Sequence, residues 1–195
     1  MPIKPAIAAL ILSIGAPAIA APVTLSVVGA DGRPVAGAVV TLDVPGASAA
    51  IPRGPYVMAQ HNIAFEPHVI VVPVGASVSF PNLDKVRHHV YSFSPTKRFD
   101  LKLYGHDETR SVVFDKPGVV ALGCNIHDAM SGFIYVAATP YAAVTDAAGR
   151  IAIDVPAGKA VLHIWHPSIR APGNMLSQPA TIPASGFSGT FGLKR

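Results

Sequence analysis

Val119-Val120-Ala121-Leu122-Gly123-Cys124-Asn125-Ile126-His127-Asp128-Ala129-Met130, running on to Phe133-Ile134-Tyr135-Val136-Ala137, reads as strand, loop and strand. The flanking runs, Val119–Leu122 and Phe133–Ala137, are short, rich in β-branched and aromatic residues, and bounded by turn formers. Such residues fit a pleated, half-buried surface. The same pattern extends outward in both directions. Val23–Val28, Ala38–Val44, His68–Val72, Ser77–Phe80, Val90–Phe93, Phe99–Leu103 and Ser111–Phe114 precede it, while Ile151–Val155 and Ala160–Trp165 follow. Beyond the first twenty residues no segment keeps a helical apolar period over three turns. The expected architecture is an all-β sandwich.

Composition agrees with this reading. The 195 residues include 17 Gly and 19 Pro, too much punctuation for a mainly helical chain. Hydrophobic residues make up 50% of the chain, which excludes wholesale disorder. The single Cys excludes an internal disulfide, an iron–sulfur cluster and a Cys-rich zinc site.

Residues 1–20 have the form of a secretory signal peptide: Lys4, an apolar stretch from Ala6 to Ile14, and the small-residue end Ala18-Ile19-Ala20. The expected cleavage point is before Ala21, and the expected location is periplasmic or otherwise exported. No membrane span is expected after leader removal, because no later segment is long and apolar enough. Loss of Lys4 lowers the net charge from +4 to +3, without the dense basic stripe of a nucleic-acid-binding surface. An unpaired Cys in an exported protein needs protection from oxidation, and metal ligation is one way to provide it.

The loop after Leu122 supplies the donors. Cys124, His127 and Met130 place a thiolate, an imidazole and a thioether within seven residues, a soft set that suits copper better than a hard cation. A complete site needs one more imidazole. The segment Phe80-Pro81-Asn82-Leu83-Asp84-Lys85-Val86-Arg87-His88-His89-Val90 offers two at the start of another strand-like run. Alternation puts His88 and His89 on opposite faces without deciding which one turns inward. Zinc can be held by the same thiolate and imidazoles, but Met130 as a fourth ligand argues for copper.

With these residues in order, the stretch of about residues 55–138 resembles the cupredoxins, the type 1 (blue) copper proteins. The spacing of Cys124, His127 and Met130 is similar to the short ligand loop of amicyanin, and Asn82-Leu83-Asp84 to His88 is similar to the stretch that delivers the first His in plastocyanin-like domains. The resemblance implies a Greek-key sandwich, one type 1 copper ion, and the ligands His88, Cys124, His127 and Met130. His89 departs from the family, which often has Asn there. In such a setting Asn82 or His89 is expected to tie the two ligand segments together.

A second resemblance brackets the first. Ala30-Asp31-Gly32-Arg33-Pro34-Val35-Ala36-Gly37-Ala38 leading into Val39–Leu42, and Thr145-Asp146-Ala147-Ala148-Gly149-Arg150 followed by Val155–Gly158 and Val161–Trp165, resemble the two ends of a carboxypeptidase-regulatory-like (transthyretin-like) β-sandwich. The expected organisation is therefore a small sandwich of residues 21–54 plus 139–195, with the cupredoxin-like sandwich of 55–138 inserted in it. The rival arrangement is two consecutive domains, the N-terminal strands joining the central one.

No G-x-S-x-G, H-E-x-x-H, P-loop or C-x-x-C-H motif is present, so catalysis is not expected. The expected function is electron transfer by Cu(I)/Cu(II) cycling, with a redox partner protein and no nucleic acid. The alternative is copper delivery, or a scaffold or adhesion role. Lys85, Arg87, Lys97, Arg98, Lys102 and Arg110 gather around the first ligand segment, either as an ordinary solvated face or as a docking rim for an acidic partner. His61, His68, His106, His163 and His166 have no ligand-spaced partner and read as structural or surface residues.

Overall fold

The structure, a computed structural model, describes residues 20–193. The proposed leader lies outside the described residues except for Ala20. The strands are β1 Ala20–Val28, β2 Val39–Asp43, β3 Tyr56–Val57, β4 Ala59–His61, β5 Ala64–Glu66, β6 Val69–Pro73, β7 Ala76–Pro81, β8 His88–Ser92 and β9 Phe99–Tyr104. They continue with β10 Thr109–Phe114, β11 Gly118–Cys124, β12 Ser131–Ala137, β13 Ala142–Val144, β14 Arg150–Pro156, β15 Gly158–Trp165, β16 Met175–Ile182 and β17 Phe187–Gly192. Among the described residues the one helical element is a 3-10 turn at Pro172–Asn174, and no helix is long and apolar enough to cross a membrane. The chain is all-β.

Among the described residues five sheets form: β14-β1-β17, β13-β2-β15-β16, β10-β7-β3, β6-β12-β11-β8-β9 and the hairpin β4-β5. The first two draw only on residues up to Asp43 and from Ala142 onward, and the others only on Tyr56–Ala137. β1 is antiparallel to β14 and parallel to β17, with Val23 opposite Ile153 and Phe187. β2 lies between β13 and β15.

Alternation builds each core. Ala21, Val23, Leu25 and Val27 of β1 point to one side and meet Val40, Leu42, Leu162 and Ile164. In the central strands, Val78 and Phe80 of β7, Val90 of β8, Val120, Leu122 and Cys124 of β11, and Ile134 and Val136 of β12 share a second core. β2 buries both faces from Val39 to Leu42, Thr41 included. Val40 and Leu42 enter the first core, while Val39 joins Trp165 and Val69 in a third cluster. There the outer faces of two sheets meet. Phe133 and Tyr135 of β12 contact the Trp165 indole with ring centroids 5.3 and 6.0 Å away.

The strand-like runs of the sequence appear with shifts of up to three residues at their ends. β3, β4, β5, β13, β16 and β17 carry little sequence signal. β16 contains Ser177, Gln178 and Pro179, tolerated because it pairs on one side only, with β15. β17 is an edge strand with Gly189 at its centre, held in register by β1.

Candidate metal centre

Cys124 ends β11. Two-residue alternation from Val120 and Leu122 turns its side chain inward, leaving it 4% exposed. β8 runs antiparallel beside it with Val90 opposite Cys124, so His88, which opens β8 on the same face, comes alongside the sulfur. His88, Val90 and Ser92 are buried, while His89 and Tyr91 alternate outward. The pairing of β8 with β9 shifts between His89 and Tyr91. His127 comes from the β11–β12 loop, closed by a hydrogen bond from the Met130 N–H to the His127 carbonyl at 2.9 Å.

The sulfur of Cys124 lies 3.8 Å from Nδ1 of His88 and 3.8 Å from Nδ1 of His127. One ligand atom from each of the three residues falls within 4.8 Å of the others. The two imidazole rings stand 5.0 Å apart at 60°. Met130 is buried, in the same core cluster as Cys124. The structure therefore brings His88, Cys124 and His127 together and leaves His89 outside, bonded to Asp100 on the adjacent strand. His89 and Lys102 both engage Asp100; the Lys102 bond is the larger influence, and together they hold that carboxyl well below its usual range.

The surroundings of His88 are polar and buried. Its Nε2 meets Asp84 Oδ2 at 2.8 Å. Burial raises the Asp84 pKa, but the Ile63 N–H, His88 and the Asn62 N–H outweigh it and leave the carboxyl below its ordinary value. Asn82 donates to the Val86 carbonyl at 2.9 Å and the Tyr104 carbonyl at 3.3 Å, and accepts the Asp84 N–H at 2.9 Å. Asn82 thus braces the segment before His88 internally and against β9. Neither Asn82 nor His89 bonds to the Cys124–Met130 loop among the described hydrogen bonds, a correction to the expected tie. Gln60 donates to the Phe80 carbonyl at 3.2 Å and also bonds the Tyr104 hydroxyl, leaving its own Oε1 without a partner. Tyr104 is fully buried, and burial pushes its phenol up to about 12.

The donor set fits a thiophilic metal ion. A thiolate and two imidazole nitrogens converge at one buried point, and the outer nitrogen of His88 is already occupied by a carboxylate, which leaves Nδ1 facing the sulfur. The remaining histidines are engaged elsewhere. His61 bonds Glu66, His68 the Ser131 carbonyl, His106 Asp107, and His166 Ser168. His163 bridges Ser177 at 2.7 Å and Asp43 at 3.1 Å across β2, β15 and β16. Of the six basic residues near the site, Lys97 pairs with Asp115, Lys102 with Asp100 and Arg110 with Glu108, the pattern of a solvated face. Lys85 and Arg87, on the segment leading to His88, form no ion pair among those of the described residues.

No protein-family model matches the chain, and no curated protein matches it. Among solved structures it is similar to the Cu-containing nitrite reductase (NirK) from Thermus scotoductus SA-01, with 28% identity and a TM-score of 0.42 over 49% of this chain and 25% of that one. The chain thus spans about a quarter of that reductase. It is similar to a purple cupredoxin from Nitrosopumilus maritimus at 21% identity and a TM-score of 0.39, over 43% of this chain and 100% of that one. Its likeness to a reduced amicyanin variant is 19% identity and a TM-score of 0.41, over 50% of this chain and 99% of that one.

Proposed function

We propose that the chain is an exported electron carrier that holds one copper ion in a type 1 arrangement, through His88 Nδ1, Cys124 Sγ and His127 Nδ1, with Met130 as a weak fourth ligand. The observation that carries this reading is the convergence of those three donor atoms at one buried point. When bound, copper supplies a one-electron Cu(I)/Cu(II) couple. The chain's part is to hold the donors still. β8 and β11 fix His88 and Cys124 from adjacent strands of one sheet, and a rigid donor set keeps reorganisation small. Two imidazoles, a thiolate and a thioether leave no strong open position for a substrate, which favours a carrier over an enzyme. His127 is the least buried of the three and is the route by which electrons enter and leave. The partner is a redox protein that meets the edge bearing His127.

The strand pairing supports an inserted arrangement, with the central sandwich of 55–138 set into a second sandwich of 21–54 plus 139–195. The second sandwich serves as a support: Trp165 and Val39 buttress the outer face of β12, the strand that leaves the metal loop.

Adding copper(II) to the mature chain tests the reading. A strong thiolate-to-copper absorption that bleaches reversibly on reduction, and is missing from Cys124→Ser, is the expected result. A colourless copper(I) complex that passes its metal to a partner would instead mean copper delivery.

A further inference from the structure

Asp84 gives no atom to the donor cluster, yet both of its carboxylate oxygens are engaged. Its side chain is 11% exposed. Oδ1 accepts the Asn62 N–H at 2.7 Å, while Oδ2 accepts the Ile63 N–H at 2.9 Å and faces His88 Nε2 at 2.8 Å. Asn62 and Ile63 form the tip of the β4–β5 hairpin, and both have positive φ, 53° and 58°. Two successive left-handed residues make a tight hairpin turn, unusual for a β-branched residue such as Ile63. That conformation aims two neighbouring N–H groups at one point, a concavity suited to an anion. Asp84 is thus held by backbone donors from a distant hairpin, and its remaining interaction is with His88.

We infer that Asp84 is a positioning residue for the metal centre, and that the β4–β5 hairpin exists at this place to hold it. An ionised carboxylate can only accept, so its contact with Nε2 places a proton there and leaves the Nδ1 lone pair directed at the Cys124 sulfur. The fixed negative charge behind the ring makes Nδ1 a stronger donor and favours the more highly charged state of a bound copper ion. Asp84 therefore lowers the reduction potential of the centre. This inference rests on His88 being a ligand, and the alternative is that Asp84 does no more than close the hairpin.

Two measurements separate these roles. In the metal-free natural chain at neutral pH, 15N NMR of His88 is expected to show Nε2 protonated; an Nε2 without a proton overturns the inference. In the copper-loaded chain, Asp84→Asn is expected to shift the midpoint potential to a more positive value. Ile63→Gly, which keeps the backbone N–H but relieves the left-handed conformation, is expected to leave the potential unchanged. An unchanged potential in Asp84→Asn, or an equal shift in both variants, overturns the inference. If Asp84→Asn does not fold, the NMR measurement on the natural chain decides alone. If the natural chain gives no thiolate–copper absorption, the copper reading fails, while the His88 proton still tests the role of Asp84.

Discussion

Between the β14-β1-β17 and β13-β2-β15-β16 sheets lie Val23, Leu25, Leu42, Ile151, Leu162 and Ile164, an aliphatic core whose buried polar neighbours are threonines. Between the central sheets the buried set includes His88, Cys124, Met130, Gln60, Asn82 and Tyr104. The two cores are both built from strands and are opposite in what they bury. Polar groups removed from water need partners, and the central core meets this, Gln60 Oε1 excepted, with a network running from Gln60 and Tyr104 through Asn82 and Asp84 to His88. Among the described residues, the clustered His and Cys donors lie in the central core. The buried titratable donors, His88 and Cys124, therefore lie in the core that carries the polar network.

The contrast can be broken most sharply at the ligands. His88→Ala is expected to abolish the visible copper absorption, and His89→Ala to leave it intact. Absorption spectra of the two variants after copper addition check this, and loss in His89→Ala alone would reverse the assignment. In the outer core, Leu162→Ala is expected to cost about 2–5 kcal/mol of stability. Denaturant unfolding would measure that loss, with the copper spectrum unaltered in the folded protein; a changed spectrum would mean that the two sandwiches are not separate in function. Thr145 tests how the outer sandwich is closed. Its hydroxyl accepts the Ala38 N–H at 2.9 Å and donates to the Val35 carbonyl at 2.7 Å, joining segments more than 100 residues apart. Thr145→Val strands the buried Ala38 N–H and the partly buried Val35 carbonyl and is expected to cost about 1–3 kcal/mol, read from the same unfolding curves. At the surface, Lys97→Ala breaks an exposed pair with Asp115 and is expected to change stability by less than about 1 kcal/mol. A larger loss there would show that the basic face is more than solvated surface.

Much of this organisation is legible along the chain. Runs such as Val23–Val28 and Val119–Leu122 declare strands because their side chains bury on alternate positions, a local property. Cys124, His127 and Met130 lie on one loop, so their closeness needs little more than the loop itself. β16 and β17 were not legible, because edge strands are defined by a neighbour and tolerate Pro179 and Gly189. The roles of Gln60 and Asp84 were hidden for a related reason: each acts on residues about twenty or more positions away, or through hydrogen bonds that no spacing rule reports.

The sequence by itself determined the all-β character, the soft donors and their order, since periodicity and residue chemistry are carried by the chain. Only the tertiary structure decided that His88 rather than His89 turns inward. Alternation guarantees opposite faces, but which face becomes the interior depends on the β8–β11 pairing and on the partly buried carboxylate that meets His88 from behind. The same holds for the third cluster, where Trp165 meets Phe133 and Tyr135: such contacts join surfaces that are each complete in their own sheet, and no local pattern records which two will meet.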